Sequence, residues 1–451
     1  MRSTTEHSDH PLRLLLAREN LSAVAYLRLI SKEQQALGYG AMAVRKEKVT
    51  RWLRGVRPDR PALLAMARFH RIDAAAVDLH GWPGFLRLAL VDDGPVLESP
   101  WTAAGSVQAL TTVGGPVDRR TFMLTSTSAL GAILTQWAHA DPALALPGAG
   151  GRLGAEEADF FDLRLTALRH LDDTVGSQQV YRGALFELQM ITDRIKKASY
   201  SEETGRRLYA AAAEASRLAG WCAYDEGRHT AAERHFIIAL RAAATAQDPT
   251  LSAITLAFWA NLRYAAGDPR GALHLIDAAM SNRTKITSAR VIAMLHARAA
   301  RAHSKAGEAT AAYRRIDEAF AAYAPAEDIK ADLPAMYWLT SGELHQVAAS
   351  SALTLGEPRR ALTHFDTALT HADAYDTERE IRGTVIYDVR RAEAHTALGE
   401  LDAALEIGRR VATTMSSIES ARSAEVLTEL RKTLARHRDV PAIAEFLESP
   451  A

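Results

Sequence analysis

A cationic stretch near the amino terminus carries side chains that suit binding to phosphate groups. Lys48, Arg51, Arg54 and Arg57 surround a single tryptophan in the segment KVTRWLRGVRP. Residues 1–80 hold 14 Lys and Arg against 8 Asp and Glu, a net charge of +6, so the rest of this neutral chain carries −6. Such an asymmetry indicates an anionic partner, most often nucleic acid, although simple attraction between the two parts of the chain would also explain it.

A helix over residues 45–54 would divide this stretch into an apolar side and a cationic side. Val49, Trp52 and Leu53 are spaced i, i+3 and i+4, so they would share one face of the helix. Gly55 would end the helix, because glycine adopts a positive φ at low cost. The simplest alternative to a binding helix is a solvated basic helix in a small bundle.

The order of residues in this helix also resembles a known family. Val49, Thr50, Arg51, Trp52 and Gly55 are similar to the signature that ends the third, recognition helix of Cro/Xre-type helix-turn-helix proteins. Segments 12–20 and 21–30 resemble the first two helices, whereas the intervening QQALGYGAMAVRK is longer than in compact members. The resemblance implies that the third helix enters the major groove of double-stranded DNA. The implied DNA-binding residues are Arg45, Lys46, Lys48, Thr50 and Arg51 near the groove, with Arg54 and Arg57 on phosphates.

Other side chains that could do chemistry form no catalytic or metal-binding pattern. The pairs His229/His235 and His296/His303 lack the i, i+4 spacing of a helical zinc pair, and most of these histidines are expected on helix surfaces. The adjacent Asp172 and Asp173 would point to different faces of a helix. Cys222 is expected to be a small core residue, and no glycine-rich phosphate loop is present. The sequence therefore predicts a protein that is not an enzyme and needs no cofactor or metal.

Beyond Ala155 the chain has the 3.6-residue apolar period of amphipathic helices, and the predicted class is all-α. Glycine- and proline-rich joins suggest three segments. Residues 1–90 would form the helix-turn-helix domain, residues 91–155 a linker with an apolar helix near 119–137, and residues 156–451 a helical repeat domain.

The repeat domain shows one pattern five times, aligned on glycines spaced 40, 40, 49 and 43 residues apart. A small residue stands seven positions before each glycine, alanine stands five positions after it, and a larger apolar residue follows at nine in four of the five copies. Small residues on both sides of a turn let two helices approach closely, and the stacked pairs bury one another's apolar faces. The glycines are Gly227, Gly267, Gly307, Gly356 and Gly399.

This pattern resembles the tetratricopeptide repeat over roughly residues 205–415, which implies a right-handed α-solenoid whose first helices line a groove. The family pattern places groove-facing residues ten, six and three positions before each glycine. A Cro-type head on such a solenoid resembles bacterial peptide-sensing regulators, which implies a homodimer and a peptide, small ligand or partner protein in the groove. The implied ligand-binding residues are Arg217, Trp221, Tyr224, Asn261, Tyr264, Arg301, Ser304, Gln346 and Ser350.

One further segment, from Arg119-Arg120 to Leu134, resembles a twin-arginine export signal. It stands more than a hundred residues into the chain and its apolar run is too short to span a bilayer, so we expect instead a helix that docks on the repeat domain or on a second subunit. The leading expectation is thus a cytoplasmic transcription regulator with no membrane association. The alternatives are a protein-interaction scaffold whose head no longer binds DNA and, less favoured, an exported or membrane-attached repeat protein.

Overall fold

The computed structural model describes residues 10–18, 21–70, 72, 74, 77–78, 81–86, 94–97, 99–112, 127–140, 150–174, 176–326, 332–378, 380–415 and 421–448. The chain divides into two compact units: unit 1 comprises Met1–Pro95 and Gly114–Leu124, and unit 2 comprises Val96–Val113 and Thr125–Ala451. Within the described residues every extended element is a helix, apart from an isolated bridge between Arg152 and Ser199. The predicted all-α class is confirmed.

Unit 1 contains four helices in its described part: α1 (Pro11–Arg18), α2 (Ala23–Ala36), α3 (Lys46–Leu53) and α4 (Arg60–Phe69). The Ser22 and Asp59 side chains begin α2 and α4 by accepting hydrogen bonds from the backbone N–H groups of Ala25 and Ala62, which satisfies donors that a helix start leaves unpaired. The four helices bury a common apolar core that includes Leu15, Leu27, Ile30, Trp52 and Met66.

The helices that follow come mostly in pairs. They are α5 (Gly94–Leu97), α6 (Ala103–Thr111), α7 (Thr127–Ala138), α8 (Ala155–Thr174), α9 (Ser177–Lys197), α10 (Glu202–Asp225), α11 (His229–Thr245), α12 (Pro249–Ala265), α13 (Pro269–Met280), α14 (Ala289–Lys305), α15 (Ala309–Tyr323), α16 (Ser341–Thr354), α17 (Pro358–Thr370), α18 (Ile381–Ala397), α19 (Leu401–Met415), α20 (Ala421–Leu434) and α21 (Pro441–Glu448). Short 3-10 helices occur at Arg283–Lys285, Ala324–Ala326, Pro334–Met336 and Ala435–His437.

The five repeated glycines each join the two helices of one pair, with φ between +70° and +88°. This is the left-handed region that glycine tolerates best, so the predicted helix ends are confirmed. Each glycine turn lets the second helix pack back on the first, in the pairs α10/α11, α12/α13, α14/α15, α16/α17 and α18/α19. The first helices α10, α12, α14, α16, α18 and α20 also contact one another in that order.

The small and large residues of the repeated pattern are buried as predicted. The alanines at five positions after each glycine are all 0 % exposed, as are Ala260 and Ala300 at seven positions before, and Gly220 is buried. At Gly220 a Cβ atom would lie only 2.8 Å from Cε1 of Phe236. The absence of a side chain therefore allows α10 and α11 to approach as closely as they do, because protein interiors have almost no free space.

Helices α6 and α7 pack on the outer helices of unit 2. The buried Arg241 of α11 donates from Nε to the carbonyl of Val96 at 2.7 Å and lies over the Trp101 ring. Helix α7, which lies within the apolar segment near 119–137, contacts α13 and α11; residues 119–126 of that segment lie outside the described residues. Among the described helices, none combines the length and apolarity that crossing a bilayer requires.

The prediction that the histidines lie on helix surfaces is wrong for two of them. His235 is 1 % exposed and its ring meets the hydroxyl of Tyr181 at 3.2 Å, while His296 is 7 % exposed and contacts Glu318. Burial lowers the pKa of His235 to about 3, with Arg234 and Arg228 adding to the effect. A neutral imidazole costs little to bury when one nitrogen is hydrogen-bonded, so this residue serves as core.

Candidate functional sites

Helix α3 of unit 1 has the two-sided character that the sequence predicts. Val49 and Trp52 are buried, and the Trp52 ring meets that of Trp82 edge-on at 6.5 Å between centroids. The helix ends at Leu53, after which Gly55 takes φ +91°. The apolar contacts of the tryptophan therefore fix the rotation of α3 about its own axis, and with it the direction of the cationic face.

The residues of that cationic face are open to solvent. Arg45, Lys46, Thr50, Arg51, Arg54 and Arg57 are exposed, and Lys48 is half-buried. The Thr50 hydroxyl donates back to the Lys46 carbonyl at 3.3 Å. No ion pair links any of these cations to a described residue, in contrast to Arg60 and Arg68 of α4, which pair with Asp78 and Glu33. The cations of this face therefore have no ion-pair partner among the described residues.

The long turn between α2 and α3 is anchored at one point. Gly38 and Gly40 adopt positive φ, and the Ser31 hydroxyl both accepts from the N–H of Met42 at 3.0 Å and donates to its carbonyl at 3.3 Å. Met42 is buried in the core of unit 1. The extra length of the turn is therefore accommodated by a loop that returns the chain to a fixed position before α3 begins.

Unit 2 contains a cavity of about 400 Å³, which lies between the first helices of successive pairs. Its walls come from α8, α10, α12, α14, α16, α18 and α20, and the segment around Tyr337 and Trp338 also contributes. Of the residues predicted to bind a ligand, seven line it: Arg217, Trp221, Tyr224, Asn261, Tyr264, Arg301 and Ser350. The other two, Ser304 and Gln346, are buried but do not line it.

One group of charges in the wall is internally neutralised. Arg382 lies 2.9 Å from Oδ2 of Asp172 and 3.1 Å from Oδ2 of Asp225, and Arg422 lies 3.4 Å from the other oxygen of Asp225. The Ser177 hydroxyl donates to Asp225 at 2.8 Å. These contacts join α8, α10, α18 and α20 across the cavity wall, so the network positions helices that are far apart in the sequence.

A second neutralised group surrounds Glu214. Arg217 donates to both of its carboxylate oxygens, at 2.7 and 2.8 Å, and Arg169 donates to one at 2.9 Å. Burial would raise the pKa of Glu214, but the two guanidinium groups outweigh it and lower the pKa to about 2. The guanidinium of Arg217 also lies 4.4 Å from the centroid of the Phe258 ring.

Aromatic rings form much of the remaining wall. Trp221 and Phe258 meet edge-on at 5.1 Å between centroids, and Phe258 meets Trp338 at 6.0 Å. Arg422 lies over the Trp221 ring at 4.9 Å. Such rings offer a planar or aromatic ligand both apolar area and stacking partners.

Two carboxyl groups in the cavity have strongly raised pKa values. Burial raises the pKa of Glu343 to about 7 against the opposing effect of Arg298, and its Oε1 accepts from the Tyr387 hydroxyl at 2.8 Å. Burial also raises the pKa of Glu380 to about 8, and the nearby Asp173 and Glu343 add to the effect. Near neutral pH a large fraction of both groups is therefore uncharged.

The sequence interpretation missed several residues of this cavity. Asp172 and Asp173 have different partners, as neighbours on a helix do, since Asp172 meets Arg382 and Asp173 accepts from Tyr337 at 2.8 Å. Both nevertheless line the cavity, where the sequence predicted no role for them. Cys222 is fully buried beside Asp172 at 3.6 Å, which agrees with its expected place in the core.

Arg298, Glu343, Glu380, Arg382 and Tyr387 were missed too. A signal existed for Arg298 alone, because it stands at i, i+3 and i+7 with Arg301 and Lys305 and so forms a cationic stripe on α14.

Neither a scan against models of known protein families nor a search of the curated proteins gave a match to this chain. Among the described residues, no group of three or more His, Cys, Asp or Glu side chains is arranged to hold a metal ion.

Proposed function

We propose that this protein is a DNA-binding transcription regulator whose helical-repeat unit senses a ligand. Helix α3 would enter the major groove, and the protein would act in the cytoplasm as a homodimer that binds two half-sites. The observation that carries the proposal is the exposed cationic face of α3 on a helix held by Trp52. Cationic side chains on one face of a groove-sized helix are what phosphate neutralisation and base contacts require.

The cavity of unit 2 supports the sensing half of the proposal. It lies where the tetratricopeptide resemblance expects a ligand, and about 400 Å³ falls within the range of small-molecule sites. Its wall is assembled from helices of several pairs, so a ligand that contacts them together would favour one arrangement of the stack. A ligand shifts an equilibrium by its difference in affinity for the two states, and a changed spacing of two DNA-binding heads would alter DNA affinity.

The test begins with genome-wide mapping of bound DNA, followed by anisotropy titrations of a recovered fragment over a salt series. The Arg51→Ala/Arg54→Ala double variant should weaken binding strongly and reduce the salt slope by about 1, since Arg54 is the member of the pair expected on a phosphate and each lost phosphate contact lowers the slope by about 0.9. The matched control is Arg13→Ala/Arg60→Ala, which removes the same charge from exposed positions of unit 1 outside α3.

If wild type and the α3 variant bind all fragments equally poorly, the regulator proposal fails. The helical-repeat unit would then be better explained as an interaction scaffold with a head that no longer binds DNA. Equal losses of DNA affinity in the α3 variant and in the control would show that only net charge matters. The proposal that α3 is the DNA-binding helix would then be wrong.

A further inference from the structure

The cavity of unit 2 contains cations that form no ion pair with a described carboxylate. Of the arginines in its wall, Arg169, Arg217, Arg382 and Arg422 all form ion pairs with carboxylates. By contrast, the four remaining cations form no ion pair with any described residue; they are Arg298, Arg301, Lys305 and Arg390. Buried charges are normally paired, so the two buried members of this group, Arg298 and Arg301, indicate that something else supplies a counter-charge.

Several of these cations lie within electrostatic range of one another, and one acid lies near two of them. Burial lowers the pKa of Arg301 and of Lys305, and Arg390 adds to both effects. Glu393 opposes the effect on Lys305; burial raises the pKa of Glu393 itself, and Arg390 and Lys305 oppose that rise. Arg298 and Arg301 are 9 % and 5 % exposed, Arg390 is half-buried, and Lys305 is open to solvent. The cluster therefore runs from the cavity wall to its edge along α14 and across to α18.

The hydrogen bonds of Arg301 leave part of its guanidinium for a ligand. Nη1 donates to the Ser350 carbonyl at 2.7 Å and meets the Ser304 and Thr354 hydroxyls, each at 3.2 Å. Its Nε and Nη2 groups make no hydrogen bond with a described residue, and Arg390 makes none at all within the described chain. A guanidinium held by one nitrogen and open at the others is placed to receive two oxygens of one anion.

We propose that the cavity binds a small organic oxyanion with an aromatic or planar apolar body, its anionic oxygens held by Arg301, Arg390 and Lys305. Tyr264, Trp338 and Tyr387 supply the wall against which the body stacks. A carboxylate or a phosphate ester on a small molecule, and the terminal carboxylate of a short peptide, share this chemistry. That the cavity binds such an anion does not depend on the proposed sensing function. Only the effect of the bound anion on DNA binding rests on that proposal.

The binding experiment uses the full-length protein without DNA and two fluorescent probes of similar shape. The probe 8-anilinonaphthalene-1-sulfonate carries an oxyanion, whereas N-phenyl-1-naphthylamine has the same rings and no charge. Wild type should bind the sulfonate at least tenfold more tightly. The Arg390→Gln and Lys305→Gln variants should each lose roughly ten- to hundred-fold in sulfonate affinity, the value of a charge-assisted hydrogen bond, with no change for the neutral probe.

The matched control is Arg359→Gln, which removes an exposed arginine from α17 outside the cavity and should leave both affinities unchanged. Thermal unfolding of each variant checks folding; Arg390 makes no described hydrogen bond, so its replacement should leave the melting temperature close to that of wild type. Equal affinity of wild type for the two probes would overturn the inference, as would sulfonate binding that survives in the Arg390→Gln/Lys305→Gln double variant.

Displacement of the sulfonate probe then separates the sources of the anion. Phenylacetate and phenyl phosphate represent small-molecule carboxylates and phosphates, and Ala-Ala-Phe with a free or an amidated carboxyl terminus represents peptides. Displacement by any free oxyanion supports the site and names its source, whereas displacement by none at millimolar concentration overturns it. DNA retention is measured separately, so a failure of the regulator proposal leaves this result intact and is distinguished from it.

Discussion

Replacing Glu214 with glutamine should destabilise unit 2 by about 3 kcal/mol at neutral pH. The side chain is 9 % exposed and bonded to Arg217 and Arg169, which hold its pKa at about 2 against an ordinary value of 4.5. That difference corresponds to about 3 kcal/mol. Because the pKa is lower in the folded state, this stabilisation is complete above the ordinary pKa and is lost as the pH falls towards 2. About 1 kcal/mol should remain near pH 3.

The assay is urea unfolding of wild type and Glu214→Gln by far-UV circular dichroism, at pH 7 and at about pH 3. The two proteins should converge on acidification, because a protonated glutamic acid and a glutamine are both uncharged. Glu202→Gln is the control, since its carboxylate pairs with Arg206 on the exposed surface and should contribute below about 0.5 kcal/mol. A difference under 1 kcal/mol at pH 7, or one that does not change with pH, would refute the reasoning.

Three further outcomes are expected. Gly220→Ala should cost about 1–3 kcal/mol in urea unfolding, because the new Cβ would lie 2.8 Å from Phe236. Cys222 should not react with a thiol reagent such as dithionitrobenzoate until the protein is unfolded, since burial raises the pKa of its thiol well above the usual value. Affinity for the sulfonate probe should fall several-fold from pH 6 to pH 8 as Glu343, with a pKa of about 7, and Glu380, with a pKa of about 8, ionise in the cavity. Glu343→Gln should reduce this dependence and leave the part that is due to Glu380.

Local features of the structure could be predicted from the sequence because they depend on short spacings. The helix predicted at 45–54 is observed as α3, with Val49 and Trp52 buried, since a 3.6-residue period assigns a face without knowledge of distant residues. The helix pairs are likewise encoded locally, by a glycine such as Gly267 that adopts a positive φ and by alanines placed to meet across the turn.

The cavity could not be predicted to the same degree. The ion pairs and pKa values of its charged side chains depend on contacts between segments that are far apart in the sequence. Arg382 meets Asp172 across 210 residues, and nothing near either residue indicates the other. From the sequence alone, a carboxylate such as Glu380 would be assigned to the solvent-exposed face of a helix. Its pKa is raised because the folded chain buries it near other acidic side chains. The spacing of residues along each helix predicts which positions face the groove. It does not predict which charged side chains form ion pairs there.

The charged side chains of the cavity differ in whether they form ion pairs with carboxylates. Arg217 is neutralised by Glu214 of its own helix, whereas Arg382 of α18 and Arg422 of α20 pair with Asp172 of α8 and Asp225 of α10. Burial raises the pKa of Glu343 in the same cavity to about 7. Arg301 and Arg390 form no ion pair with a described carboxylate, although Glu393 lies within electrostatic range of Arg390. Burial makes such charges costly, and replacing them with apolar residues would be expected to stabilise a purely structural stack. Their presence in a cavity that also carries aromatic rings is therefore better explained by an anion that binds there than by the requirements of folding.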